Sequence, residues 1–397
     1  MKVILSVFLM LAGSTSIIAQ LNITAFPLPT QNFDVKSLSL GTATVSLSDG
    51  YGSIFVNPAG IGEDEVLKLS PDFNAFQHPY ALDYKSYQLS GTYDVNKSTI
   101  GISIQGFRVG GQLVTTYYYE NMNYKFRNTE LITKFAYARQ FENNLKIGAA
   151  LNYLYSGEAI GTMVSAQKVE PVYAWSMDLG LQHEFSMKYD FGTIKPSSGL
   201  ALTNFGKGVN YFKGVDYYNS ERSSSLPTRL QAGVGFTFIS LQKKNGYNFV
   251  ELRVMQNASK LLVRRESRVN ESGTYYVAMN PFKALASSWG SYNYYDGINN
   301  KVIEPEQQIW MHSGAEVKFM ETVAIRWGLR KAGGFEADMS YQSLGFGLDL
   351  FYVVLDYAIV FDNPEYGNFL EGTQWQISGR IPLDGYRPDN ILHRLLN

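Results

Sequence analysis

The chain has 397 residues, a formal net charge of −1 and no cysteine. Lack of cysteine excludes a lipid-modified N-terminal thiol, a disulfide framework and thiolate-bound metal, and the balanced charge offers no basic patch for nucleic acid. Charged residues make up 17% of the chain and aromatic residues 14%, with 28 Tyr and 24 Phe, whereas a typical soluble domain carries roughly 25% charge. A transmembrane β-barrel needs this mixture, because its outer face is apolar, its lumen polar and its two interfaces aromatic.

Residues 1–19 read as a secretion signal. Lys2 supplies the positive start, Val3 to Ala12 the apolar core, and small residues lead to a cut after Ala19 that leaves Gln20 first. The apolar core is too short to span a bilayer. The sequons at Asn22, Asn96, Asn257 and Asn270 matter only in a eukaryotic secretory pathway and are expected to be inert. Residues 20–64 form the expected N-terminal hatch. Within it, Asn57-Pro58-Ala59-Gly60 is a turn that starts a short helix, since Asn caps well and Pro suits the first helical position.

From residue 65 onward the dominant signal is alternation of period two. Leu145, Ile147, Ala149, Leu151, Tyr153 and Tyr155 share one face, while Lys146, Gly148, Ala150 and Asn152 share the other. The same contrast recurs at Tyr173 to Gln182, Ile309 to Phe319, Val323 to Arg330 and Trp375 to Ile381. Strands are expected near 66–76, 86–93, 99–105, 130–140, 145–155, 172–183, 197–204, 229–239, 247–256, 307–319, 323–331, 342–350, 354–362 and 373–381. Short connections alternate with long ones, at 106–129, 156–171, 205–228 and 257–306, as in barrels with periplasmic turns and extracellular loops. The expected fold is all-β, a transmembrane antiparallel β-barrel of about 14 strands with a small N-terminal hatch, or plug, inside the lumen. Residues 65–382 form the barrel and 383–397 a periplasmic tail. Two connections fit less well: 351–353 is Phe-Tyr-Val, a poor turn, and 184–196 is long for a periplasmic turn. Segment 257–306 is expected to hold an extra hairpin near 260–268 and 273–279. Leu350 to Phe361, the longest apolar run after the signal, is broken by Asp356, so helical membrane spans are not expected.

The second face of these strands is small and polar, and its charges gather late in the chain. His312, Glu316, Lys318, Arg326 and Arg330 form the expected lumen charge cluster, with His312 paired to Glu316. A wet lumen tolerates such charges and a lipid face does not. The four histidines, His78, His183, His312 and His393, show no metal-ligand spacing. His312 and Ser313 are neighbours and so point to opposite faces of a strand. Gly110-Gly111 reads as a turn, since no Lys-Ser/Thr follows at phosphate-loop spacing. No catalytic residue, metal or cofactor is expected, and the chain does not read as an enzyme.

Leu38-Ser39-Leu40-Gly41-Thr42-Ala43 followed by Asn57-Pro58-Ala59-Gly60-Ile61 resembles the hatch of FadL-like barrels, and most of all the PorV/PorQ group of Bacteroidota-type outer-membrane proteins. Gly199 to Gly206, Leu226 to Gly233, Gly314-Ala315-Glu316 with Ala324 to Gly328, and Leu355 to Ala358 are similar, in the same order, to that group's strand motifs. Thr42 stands where that group commonly has a second Gly, and Ile325 where it has Leu. The hatch motif thus comprises Leu40, Gly41, Ala43, Asn57, Pro58, Ala59 and Gly60. The resemblance implies an outer-membrane protein of a Gram-negative, Bacteroidota-like bacterium. Its partners would be outer-membrane lipid, the type IX translocon and secreted cargo. Tyr117, Tyr118, Tyr119, Tyr217 and Tyr218 lie in long loops, and Tyr gives contact area at low entropy cost, which suits partner contact or an aromatic girdle. The alternative is a FadL-like transporter with a hydrophobic small ligand. The lumen-facing positions offer no decisive apolar cluster, which disfavours transport; the residues themselves read as a plugged outer-membrane barrel, and the secretion role is favoured on the resemblance alone.

Overall fold

The computed structural model describes residues 24–26, 34–48, 50–62, 66–75, 84–114, 124–157, 171–211, 223–240, 248–270, 273–295, 300–333, 340–350, 352–362 and 372–382. Fourteen strands form the wall: β1 (Val66–Ala75), β2 (Tyr84–Val95), β3 (Ser98–Val114), β4 (Tyr124–Gln140), β5 (Leu145–Ser156), β6 (Val172–Glu184), β7 (Gly192–Phe205), β8 (Arg229–Ser240), β9 (Val250–Leu261), β10 (Ile309–Phe319), β11 (Val323–Lys331), β12 (Tyr341–Asp349), β13 (Val353–Asp362) and β14 (Gly372–Pro382). Each pairs antiparallel with its neighbours, and β1 pairs with β14, so the sheet closes on itself. Closure pairs the backbone groups that an open edge would expose, which is the condition for crossing a bilayer with strands. Among the described residues no helix is long and apolar enough to cross a membrane.

The side chains follow the same logic. Along β5, Gly148, Ala150, Asn152, Leu154 and Ser156 are buried, while Leu145, Ile147 and Leu151 point outward. Trp175, Val234 and Ile325 are 57%, 60% and 55% exposed on the outer face; large apolar groups displayed so widely require lipid rather than water around them. Aromatic rings gather at both ends of the wall. Tyr153, Tyr155, Tyr173 and Trp175 pack together at one end, Tyr189, Phe191 and Phe238 at the other.

The two connections that fit the strand pattern less well each take a definite form. Beyond β6, the strand Met187–Tyr189 pairs with the start of β7, so the long turn is a ladder extending below the wall. Across the connection read as Phe-Tyr-Val, the Leu350 N–H donates to the Val353 carbonyl at 2.8 Å. On the outer side, the segment between β9 and β10 folds into a hairpin (Arg265–Asn270 with Gly273–Ala278), a short helix α1 (Pro281–Ser287) and a second hairpin (Tyr292–Tyr295 with Asn300–Ile303). The first hairpin has its second strand at the expected place and its first strand starting five residues later than expected; the helix and second hairpin have no counterpart in the sequence reading. Helix α1 starts where Asn280 accepts from the Phe282 N–H and Pro281 follows the cap.

The hatch lies inside the ring. A one-turn helix, Val35–Ser39, faces β11 to β14; the 3₁₀ turn Gly50–Phe55 faces β1 to β3; and the 3₁₀ turn Pro58–Ile61 faces β3 to β6. The hatch therefore runs around the inner circumference of the wall.

Candidate functional site

A hatch of mostly irregular backbone, buried in a lumen, leaves N–H and C=O groups that must find partners. The wall supplies them from side chains at successive strands. Gln376 accepts from the Val35 N–H at 2.9 Å and the Ser343 hydroxyl donates to the Leu38 carbonyl at 2.9 Å. The Asn257 amide, oriented with its oxygen inward, accepts from the N–H groups of Thr44 and Val45, each at 3.0 Å. Gln182 donates to the carbonyls of Val45 at 3.0 Å and Leu47 at 2.9 Å. Lys146 donates to the Gly62 carbonyl at 3.0 Å and the Ser48 hydroxyl at 2.8 Å.

The hatch reciprocates through Asn57, which is fully buried. Its Nδ2 donates to Val45 O at 2.8 Å and to Leu181 O of β6 at 3.0 Å, and its Oδ1 accepts from the Ala59 N–H at 3.1 Å. Pro58, Ala59 and Gly60 are also buried. Wall glycines let this backbone approach. A Cβ at Gly314 would lie 2.6 Å from the Leu40 carbonyl oxygen, and one at Gly328, Gly148 or Gly180 would collide with Gly41, Pro58–Ala59 or Asn57.

Leu40, Gly41 and Ala43 occupy the opposite arc. Leu40 and Ala43 are buried against Met255. Gly41 and Thr42 have φ of 63° and 59°, a left-handed pair that costs a β-branched residue about 1–2 kcal/mol. His312 holds this turn. Its Nδ1 lies 3.0 Å from Gly41 O and 2.8 Å from Thr42 Oγ1, and its Nε2 lies 2.9 Å from Ser259 Oγ. A carbonyl only accepts, so Nδ1 carries the proton and Nε2 accepts from Ser259. His312 is thus paired with the hatch and with Ser259, not with Glu316. Positions i and i+4 on one strand are roughly 13 Å apart at about 3.3 Å per residue, which forbids the expected pair. Replacing His312 by Ala leaves Ser259 without its acceptor and Gly41 O with the Thr42 hydroxyl as donor, and should weaken the turn by about 2 kcal/mol. The check is hydrogen exchange at the amides of Gly41, Thr42 and Ala43, which bond back to Leu38, Ser37 and Leu40; their protection should fall about 30-fold. Unchanged protection would show that His312 does not hold the turn.

The remaining charges separate into two groups. Nearer the end with the short turns, Arg326 donates to Glu316 at 2.6 Å and Asp356 at 2.5 Å, Arg253 lies 3.4 Å from Glu316 and also pairs with Glu251, and Lys318 lies 3.5 Å from Asp349. On the outer side, Arg229 and Arg330 stand 4.8 and 5.2 Å from the Trp310 ring, and Arg330 also stands 4.5 Å from the Tyr341 ring. The expected single cluster is therefore two, and His312, directly opposite Arg330 in the register, stands with the outer one.

The outer side of the lumen also holds a buried apolar cluster, a chamber filled by the chain's own side chains. Phe26 packs among Ile132 of β4, Leu154 of β5, Ala174 of β6, and Val209 and Leu226 of the outer segments. Its N–H donates to Tyr211 Oη at 3.1 Å, and the two rings lie 6.0 Å apart. Burial raises the Tyr211 phenol well above its ordinary pKa, so it stays neutral. Phe26 itself has φ of 55°, strained for a bulky residue. A roof closes over it: Thr24 pairs with Ser225, Ser224 with Val209, the Ser223 hydroxyl accepts from the Ala278 N–H at 2.9 Å, and Leu262 N–H donates to Thr228 O at 2.8 Å. The floor is polar: Lys134 and Asp178 pair at 2.7 Å, and Asn152 donates to the same carboxylate at 2.7 Å.

Sequence reasoning missed this chamber. Its signal was three apolar residues, Ile132, Leu154 and Ala174, at lumen parity near the outer strand ends. Tyr117, Tyr118, Tyr119, Tyr217 and Tyr218 lie outside the described residues. Among the described residues no group of three or more His, Cys, Asp or Glu side chains gathers as a metal would require.

No family model and no curated protein matches the chain. Solved structures similar to it include the toluene transporter TodX of Pseudomonas putida (TM-score 0.44, 11% identity, 87% of this chain and 95% of that one). Others are the toluene transporter TbuX of Ralstonia pickettii (0.43, 12%, 90% and 98%) and a FadL homologue of Pseudomonas aeruginosa (0.38, 9%, 88% and 95%).

Proposed function

We propose that this protein is a non-enzymatic outer-membrane channel that takes up small hydrophobic molecules from the cell surface. The observation that carries the reading is the chamber: an apolar pocket on the outer side of the hatch, filled by the chain's own Phe26. Phe26 acts as an internal ligand. It occupies the site in a strained backbone conformation and yields it to a hydrophobic molecule that buries comparable area. Burying a Phe-sized group contributes about 1.5–3 kcal/mol, which an entering ligand must match. Passage onward then requires the hatch turn held by His312 or the seam at Asn57 to shift.

The secretion role, with a type IX translocon and cargo as partners in a Bacteroidota-like cell, stays with the sequence motifs of the PorV/PorQ group. In the structure those motifs are occupied with contacts of the wall to the hatch, Gly314 and Gly328 against Leu40 and Gly41, and of the wall to itself, Arg326 with Glu316 and Asp356. Such contacts serve any plugged barrel.

Titration of the purified barrel with N-phenyl-1-naphthylamine, a dye that brightens in apolar surroundings, tests the proposal. The intact protein should bind it, and Phe26→Ala should tighten binding about 10- to 100-fold, because the competing side chain is gone. If neither form binds the dye, and the tagged protein instead co-purifies from solubilised membranes with a large translocon barrel and secreted cargo, the channel reading fails and the secretion role replaces it.

A further inference from the structure

Beside the chamber, the lumen wall carries buried polar groups that nothing described above uses. Gln88 on β2 and Gln105 on β3 are cross-strand partners, and Gln105 stands opposite Ile132 of β4, one of the residues around Phe26. Directly opposite side chains on paired strands start about 5 Å apart, so this pair borders the apolar pocket. Both glutamines are almost wholly buried, at 2% and 1% exposure. Gln88 Nε2 donates to Ser90 Oγ at 3.1 Å, and the Ser90 and Ser103 hydroxyls lie 2.7 Å apart. The other atoms are unmatched. Both ends of the Gln105 amide and the Gln88 oxygen have no hydrogen-bond partner among the described residues.

A buried amide with both ends unsatisfied costs several kcal/mol. Three such atoms on one pair of strands, beside an apolar pocket, are the recognition pattern of a ligand site: mostly apolar, with a few convergent polar groups. We propose that Gln105 and Gln88 form the polar end of the chamber, and that its ligand is a hydrophobic molecule carrying one neutral hydroxyl, an alcohol or a phenol. One hydroxyl oxygen accepts from Gln105 Nε2 while its hydrogen donates to Gln105 Oε1 or Gln88 Oε1. A pure hydrocarbon leaves the donor and both acceptors unmet. A carboxylate satisfies the Gln105 N–H but sets its own oxygens against two amide oxygens. The inference rests on the reading of the chamber as a ligand site and adds the substrate class to it.

Three molecules matched to the Phe26 ring separate the cases: benzene, phenol and benzoate. Calorimetry measures their binding to the purified full-length barrel, both intact and as Phe26→Ala. Phenol should bind at least tenfold more tightly than benzene, and benzoate the most weakly. Adding Gln105→Met should bring phenol within about twofold of benzene while benzene affinity holds or rises. Gln88→Met, which removes one acceptor, should narrow the preference about threefold. It guards against a Gln105 variant that does not fold, which heat-dependent gel migration reports. Equal binding of benzene and phenol, tightest binding of benzoate, or a preference that survives Gln105→Met in folded protein would overturn the substrate class and leave the channel standing. If none of the three binds either form, the chamber is not a ligand site, and the proposed function falls with it.

Discussion

Arg326→Met should destabilise the folded barrel by about 3–5 kcal/mol, the usual result of removing one partner from a buried ionic network. The arginine leaves β11, crosses the glycine-bearing stretch of β12 and reaches β13. A Cβ at Gly347 would fall 2.5 Å from its Nη2, so its path exists only because β12 has no side chain there. It touches Glu316 on one side and Asp356 on the other, at 2.6 and 2.5 Å, and all three residues are no more than 5% exposed. A planar fork meets both carboxylates at once, which a lysine ammonium does not. Methionine keeps much of the volume and removes the charge, leaving two buried carboxylates short of their shared partner. Arg253 still faces Glu316 at 3.4 Å, so Asp356 is the more exposed to the loss. Urea unfolding of the barrel in lipid vesicles measures the effect. Adding Asp356→Leu should recover more than half of it, because a matched apolar replacement removes the unpaired charge. A loss below about 1 kcal/mol, the scale of exposed ion pairs, would mean that water reaches the network and that it does not brace the wall.

The strand pattern was legible because two solvents enforce it. Lipid requires Ile147, Leu151, Trp175 and Ile325 outward, and the lumen requires Gly148, Asn152, Asp178 and Arg326 inward, so parity is written at every other residue. Where lipid stops, the pattern stops. Strand β3 continues nine residues past its expected end at 105, through a register shift between Val109 and Gln112, and nothing in Gly106 to Val114 announces it. The glycines at 148, 180, 314 and 328 were readable as a small inner face. Their purpose was not, because it depends on where the hatch backbone lies against each strand. Pairing failed in the same way. Glu316 opposite Arg326 follows from the hairpin register, which a short turn fixes locally. His312 meeting Thr42, 270 residues away, and Phe26 meeting Leu154 are set only by closure of the ring. The chamber was hidden for a further reason: each strand gives it one apolar residue, and one residue makes no period.

Asn57→Ala should release the hatch while leaving the wall closed. The wild-type amide serves three backbone groups on both sides of the seam: the carbonyls of Val45 and Leu181 and the N–H of Ala59. Val45 O keeps a second donor in Gln182 at 3.0 Å, so it is not stranded. The Ala59 N–H is, since it opens a short helical turn whose cap is gone. With Asn57 fully buried, no water replaces these bonds at once, and the local loss should be about 3 kcal/mol. A hatch is held by many such contacts and the wall by its own ladder, so the energy appears as local opening rather than as global unfolding. Hydrogen exchange should therefore quicken at Val56, Asn57 and Gly60, whose amides bond to Ser53 and Asn57 carbonyls, by about 100-fold. Strand amides of β5 and β6 should hold their rates. In vesicles the same variant should raise permeability to small polar solutes, because the hatch is what fills the ring. Asn57→Asp separates the contributions. It retains an acceptor for Ala59 and loses both donors, and it buries a charge between two carbonyl oxygens, so it should open the hatch at least as much as Ala. If exchange quickens equally in the hatch and in β6, Asn57 supports the wall itself, and the hatch is part of one cooperative unit with no independent opening.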